Sequence, residues 1–213
     1  MTNYIKWFEL AAGIIALLNW KRISRDSFLK HLALLIFFIT VAEFSGYGFK
    51  FYRKYNIIFY NFVVEPGLFI LYALAFYKNY VRAKNKQFTL FGIFIVLALY
   101  SITLYFTDTS KFLNVIGYNI GALYIACIAV LKILEIINAN DKIDYFKEPI
   151  LYLLLAIIFY YLITIPHFSV TYYFYIHKLK NDATIFLNYI NTIFNYLLYI
   201  CYCVVFLLCN KRK

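Results

Sequence analysis

Three glutamates, Glu9, Glu43 and Glu65, stand inside long apolar runs of this chain, where an ionised carboxylate would find neither bulk water nor headgroups. An acid at the centre of a membrane helix costs about 2.5–3.5 kcal/mol on insertion, so each one asks for a buried partner or a wet cavity. Asn61 precedes Glu65 by four residues and Asn114 precedes Tyr118 by four, so each pair shares a helix face. Tyr160, Thr164 and His167 share another. Farther on, Thr184, Asn188, Asn191, Asn195, Tyr199 and Tyr202 recur at intervals of 4, 3, 4, 4 and 3, a polar stripe on an otherwise apolar helix. Carboxyls, amides and hydroxyls gathered in this way suit a small polar or cationic ligand. Glu65, Asn61 and Glu43 form the floor of such a chamber, Asn188, Asn191 and Asn195 a wall, and Glu9, Tyr118 and His167 complete the set. The competing use of the same groups is hydrogen bonding between helices, worth about 0.6 kcal/mol per contact on average.

Catalytic and metal chemistry finds little purchase. The chain has no His-Glu-x-x-His, no Gly-x-Ser-x-Gly and no pair of aspartates within an apolar run. Its histidines are His31, His167 and His177, and the first belongs to the opposite membrane face from the other two, which argues against a three-histidine zinc site. Cys127, Cys201, Cys203 and Cys209 all fall in apolar runs or at their inner end, so packing is their default use. No cofactor, metal or enzymatic activity is expected.

The elements that must position these groups follow from composition. Of 213 residues, 64% are apolar and 15% charged, against roughly 45–50% apolar in soluble domains, so a large part of the surface faces something other than water. Apolar runs at 4–20, 29–49, 57–77, 88–106, 112–137, 150–168 and 184–209 predict an all-α polytopic bundle of seven transmembrane helices, one domain over residues 1–213. The fifth run exceeds a bilayer's need, and its last turns, with Lys132 and Glu135, are expected to emerge from the hydrocarbon. Trp7 and Trp20, 13 residues apart or about 20 Å on a helix, mark the two ends of the first span, with Lys21 and Arg22 just beyond. Glu9 and the lack of a small-x-small site after Leu18 favour an uncleaved helix over a signal peptide.

Orientation follows from the 21 Lys and Arg. With the N-terminus outside and the C-terminus cytoplasmic, fourteen fall at inner ends, in clusters such as Lys21–Lys30 and Lys78–Lys86, and seven outside. This places Glu9, Glu43 and Glu65 in the outer half. The net charge of +11 is then explained by topology and by anionic lipid at the cytoplasmic face, not by direct nucleic-acid binding, for which no loop is long enough. Gly117 and Gly121 form a small-xxx-small pair that could join helices within one chain or between copies in a homo-oligomer. Basic inner loops offer a surface to a cytoplasmic protein partner.

Glu43 with Gly46, Tyr60-Asn61 followed by Glu65 and Phe69, and Pro149 with Tyr152, Tyr160, Tyr161 and Pro166 occur in an order that resembles a group of small seven-helix membrane proteins of Bacteroidota-type genomes. Where those proteins often carry Phe-Trp after the first proline, this chain has Leu151-Tyr152. The resemblance implies a multi-pass protein of the bacterial inner membrane acting as a sensory or accessory module. Similar proteins accompany phage-defence operons, including type VI CRISPR systems, which implies as an alternative an oligomeric pore or membrane perturber. A second alternative, a small cation- or proton-coupled transporter, would use Glu65 and Pro66, whose missing N–H frees a carbonyl in that helix.

Overall fold

The computed structural model describes residues 5–48, 53–109, 111–139, 148–177 and 182–208, and all regular structure in them is helical. The elements are α1 (Ile5–Leu18), α2 (Trp20–Ile23), α3 (Ser27–Gly48), α4 (Arg53–Phe59), a π-helical turn (Tyr60–Val64), α5 (Glu65–Asn79), α6 (Ala83–Tyr105), α7 (Val115–Ala139), α8 (Pro149–Ile176) and α9 (Asp182–Leu208). Six helices are long and apolar enough to cross a membrane, α4 and α5 counting as one through the π-turn. α1, with 14 residues, is not among them. It stops where Asn19 turns its side-chain amide back onto Ile15 O at 3.0 Å, and the chain then re-forms one short turn, α2.

Helix ends follow from local chemistry. Asp26 Oδ1 accepts from the backbone N–H of Phe28 and Leu29 at 2.8 and 3.1 Å, satisfying two of the donors that open α3. Asn114 does the same for α7 through Gly117 N–H at 3.1 Å, and α8 starts on Pro149, whose missing N–H is no loss at a first-turn position. α8 runs to Ile176, eight residues past the expected end at 168. Pro166 lies inside it without ending it.

Neighbouring helices make a closed circuit: α1 packs on α3, α3 on α5, α5 on α6, α6 on α7, α7 on α8, α8 on α9, and α9 back on α1. α5 also touches α7, which pushes α6 to the periphery, where Phe91, Phe94 and Ile95 are exposed as lipid-facing side chains would be. α1 is admitted by small residues: Ala12, Gly13 and Ala16 are buried, and a methyl on Gly13 would lie 3.4 Å from Thr40 Oγ1 of α3. The circuit has two ends. One, carrying the turn of residues 106–114, is called the Lys111 end; the other, carrying the turn of residues 80–82, the Arg82 end. Toward the Arg82 end, Phe76, Tyr202, Phe206, Leu32 and Ile36 are fully buried and fill the interior. Phe28 meets Phe76 edge to face at 5.5 Å between centroids.

Of the two uses open to Gly117 and Gly121, the structure shows the one within the chain: both are buried, facing Tyr100 and Thr103 of α6 and Phe69 of α5, because α7 must come close to both helices at once. Lys132 and Glu135, in the later turns of α7, meet the α5–α6 turn. Glu135 is 4% exposed, and its Oε1 accepts from the N–H of Val81 and Arg82 at 2.9 and 2.8 Å. It caps the start of α6 from 53 residues away, while Lys132 Nζ bridges its Oε2 (3.0 Å) and Asn79 O (2.6 Å). An anion at a helix N-terminus is favoured by the helix dipole, and here it ties α7 to the α5–α6 turn.

Candidate functional site

Two carboxyls meet inside the circuit near the Lys111 end. Glu9 comes from α1 and Glu43 from α3, and the charge of Glu43 reaches Glu9. Tyr60 OH donates to Glu43 Oε1 at 2.6 Å, the length of a hydroxyl bond to a carboxylate. The Tyr199 hydroxyl of α9 faces Glu9, and Tyr160 of α8 lies within the field of both acids. Five elements therefore contribute one side chain each to one polar centre. Lys6, one turn before Glu9, is the cation whose field reaches it.

Several polar atoms of this region are buried yet have no hydrogen-bond partner in the protein: Glu9 Oε2, Asn56 Oδ1, Asn119 Oδ1, Asn191 Oδ1, Asn195 Oδ1 and His167 Nδ1. Glu9 and His167 are only 5% and 7% exposed. A buried polar atom without a partner costs about 1–3 kcal/mol, so native structures keep few of them. Four of these six atoms are amide oxygens, which only accept, and a fifth, Glu9 Oε2, accepts when its carboxyl is ionised. A group that satisfies them must supply N–H or O–H donors or positive charge.

The other predicted residues serve differently. Glu65 N–H reaches back five residues to Tyr60 O, and the next donor in that register is missing because Pro66 has none. Asn61 O is thereby freed, and Tyr100 OH of α6 takes it at 2.7 Å while lying 2.8 Å from Glu65 Oε2. Asn61 also donates through Nδ2 to Phe112 O (2.9 Å) and accepts at Oδ1 from Asn114 N–H (2.9 Å). Asn114 Nδ2 in turn binds Tyr100 O and Thr103 Oγ1, both at 3.0 Å. Asn61, Glu65, Tyr100 and Asn114 thus form a lock between α5, α6 and α7 with their polar atoms turned on one another. Tyr118 belongs with the chamber: its hydroxyl faces Thr164 and Tyr160, and its ring meets Phe168 edge to face at 4.8 Å between centroids, while Phe168 itself touches His167.

The α9 stripe is inward along only part of its length. Tyr199 and Tyr202 are buried, Asn191 and Asn195 half-buried, and Asn188 is exposed, a correction to its place in the wall. Asn188 keeps the helix face of Asn195 and Tyr199, and its exposure goes with its place along the helix, only six residues after the start of α9 at Asp182. Two participants escaped the sequence reading. Tyr100 sits in the least buried of the six long helices, where only Ser101 and Thr103 stand near it and no charged or amide group marks it, and Tyr60 gave a signal only as the residue beside Asn61. Among the described residues, no group of three His, Cys, Asp or Glu gathers as a metal site. Comparison with family models, curated proteins and solved structures finds no match for the chain.

Proposed function

We propose that the chain is a seven-helix protein of the bacterial inner membrane, N-terminus outside and C-terminus cytoplasmic, that binds a small cationic, hydrogen-bond-donating ligand such as an organic amine. It serves as a sensory or accessory module and not as an enzyme. The observation that carries this reading is Glu9: a nearly buried carboxyl, facing a second carboxyl, with one oxygen lacking any protein partner. The orphaned oxygens of Asn56, Asn119, Asn191 and Asn195 support the same ligand chemistry. For the first span, α1 and α2 together run from Ile5 to Ile23, about 28 Å at helical rise, near the ~30 Å of the hydrocarbon. The two-to-one bias of basic residues supports the orientation, which puts the chamber on the outer side and leaves the basic inner loops to a cytoplasmic partner.

A thermal-shift screen of small amines and inorganic cations on the purified protein tests the reading. A ligand that raises the unfolding midpoint of wild type is expected to bind at least ~10-fold more weakly to Glu9→Gln and Glu43→Gln, since each loses a charged contact worth about 1.5–3 kcal/mol. Glu65→Gln should lower the starting midpoint and leave ligand affinity nearly unchanged. Cation responses that ignore both Glu9→Gln and Glu43→Gln refute the chamber. One observation favours the accessory-pore alternative: Asn188 is exposed, where a second copy could meet it. Copper-catalysed crosslinking of Asn188→Cys in native membranes separates the two, because a ligand-binding monomer gives no dimer band. A transport path through one chain is disfavoured by the fully buried Phe76, Tyr202 and Phe206 toward the Arg82 end.

A further inference from the structure

α6 and α8 both pack on α7 and splay apart on its outward side, leaving a groove of about 610 Å³ away from the chamber. Its walls are apolar: Phe88 from α6, Leu123 and Val130 from α7, Ile158 and Leu162 from α8. Its one polar end is made by Lys84 and Asn85 in the first turn of α6. From the structure we infer that this groove is a binding site for one anionic phospholipid, an acyl chain lying in the groove and the headgroup phosphate held by Lys84.

The dimensions fit one leaflet. The α7 floor runs from Leu123 to Leu131, eight residues or about 12 Å, within the ~15 Å half-thickness of a bilayer's hydrocarbon. All three walls belong to helices with the length and apolarity of membrane spans, so what fills the groove is a lipid chain and not water. Charge selects among lipids. Lys84 is exposed and no acid among the described residues pairs with it, while Glu135, which holds the neighbouring Val81 and Arg82 N–H, is bridged to Lys132. Lys78 and Arg82 are exposed beside it and add positive potential at the same level. Asn85 is held in place, its Nδ2 3.4 Å from Glu135 Oε1, so the polar end of the groove is tied to the cap of α6 and not left to a loose side chain.

Quenching by brominated lipid reads occupancy directly. Leu123→Trp, made in a Trp7→Phe, Trp20→Phe background, places an indole in the groove floor of the full chain reconstituted in phosphatidylcholine vesicles. Dibromo-acyl phosphatidylglycerol should quench that indole with an apparent affinity about fivefold above that of dibromo-acyl phosphatidylcholine, the ~1 kcal/mol that one lysine contributes near an anionic surface. Lys84→Gln should bring the two lipids together, and Lys86→Gln, at a half-buried lysine that does not line the groove, tests whether the preference is Lys84's own by leaving most of it intact. Equal quenching by both lipids in wild-type Lys84 protein, or a preference that survives Lys84→Gln, overturns the assignment. Because neither Glu9 nor Glu43 takes part, failure here leaves the chamber untouched.

Discussion

A single methyl at Gly121 tests how α7 sits in the bundle. Placed there, it would lie 2.1 Å from Phe69 Cζ and 2.3 and 2.4 Å from the adjoining ring carbons, against the 3.4 Å or more of ordinary contact. The ring must retreat by roughly 1.3 Å to reach a tolerable distance in a close-packed interior. It has nowhere easy to go: Phe69 is fully buried, with the Tyr100 ring at 5.9 Å and the Tyr118 ring at 6.2 Å. Overpacking of this kind costs about 1–3 kcal/mol, which in a chain of this size lowers the unfolding midpoint by about 2–4 °C per kcal/mol. Gly121→Ala is therefore expected to unfold about 3–10 °C below wild type when followed by circular dichroism in detergent. Phe69→Leu makes room, so the double variant should lose about 1 kcal/mol less than the two single losses added together. An unchanged midpoint for Gly121→Ala, or strict additivity with Phe69→Leu, would refute the packing and return Gly121 to the surface as a contact between copies.

Further perturbations address the lock, the cap and the surface. Glu135→Ala leaves two N–H donors and the Lys132 ammonium without their carboxylate and should lower stability by about 2–4 kcal/mol; Glu135→Gln, which keeps one acceptor, should lose less, as read by the same thermal unfolding. Tyr100→Phe removes the hydroxyl that serves Asn61 O and is expected to cost about 1–2 kcal/mol and to speed amide exchange in the π-turn more than in α8, measured by hydrogen-exchange mass spectrometry. Tyr60→Phe takes the short bond away from Glu43 and should change cation affinity in the ligand screen, whereas a purely structural role would move only the midpoint. Lys111→Gln breaks an exposed pair with Asp108 and should leave the midpoint where it is.

Periodicity and hydropathy revealed six of the seven expected spans, because lipid-facing and core-facing positions in this chain are both apolar and only length and flanking charge need to be counted; the first run gives a helix too short to be among them. How far along its length a polar face is covered was less legible. The spacing of the α9 stripe is correct for one helix face, yet Asn188, near the start of that helix, is exposed, and spacing does not say where along a helix its neighbours cover it. The three acids also looked equivalent. What separates Glu9 from Glu65 is that a tyrosine from the most peripheral helix answers one of them, and nothing local to Glu65 announces Tyr100. The reach of Glu135 was hidden for a related reason: two of its partners are backbone amides, which carry no sequence signature. Pro66, by contrast, was readable, since a missing donor must free a carbonyl somewhere nearby, and Asn61 O is that carbonyl.

The contact between the first helix and the last sets an order of events during synthesis. Tyr199, which faces Glu9, is added 190 residues after it. At about 5–20 residues per second the acid waits roughly 10–40 s for that neighbour. Through that interval α1, short and carrying a carboxyl, has α3 to pack on but not α9. The polar centre is complete only once α9 has been inserted, which makes its completion a built-in check that α9 has reached its place beside α1.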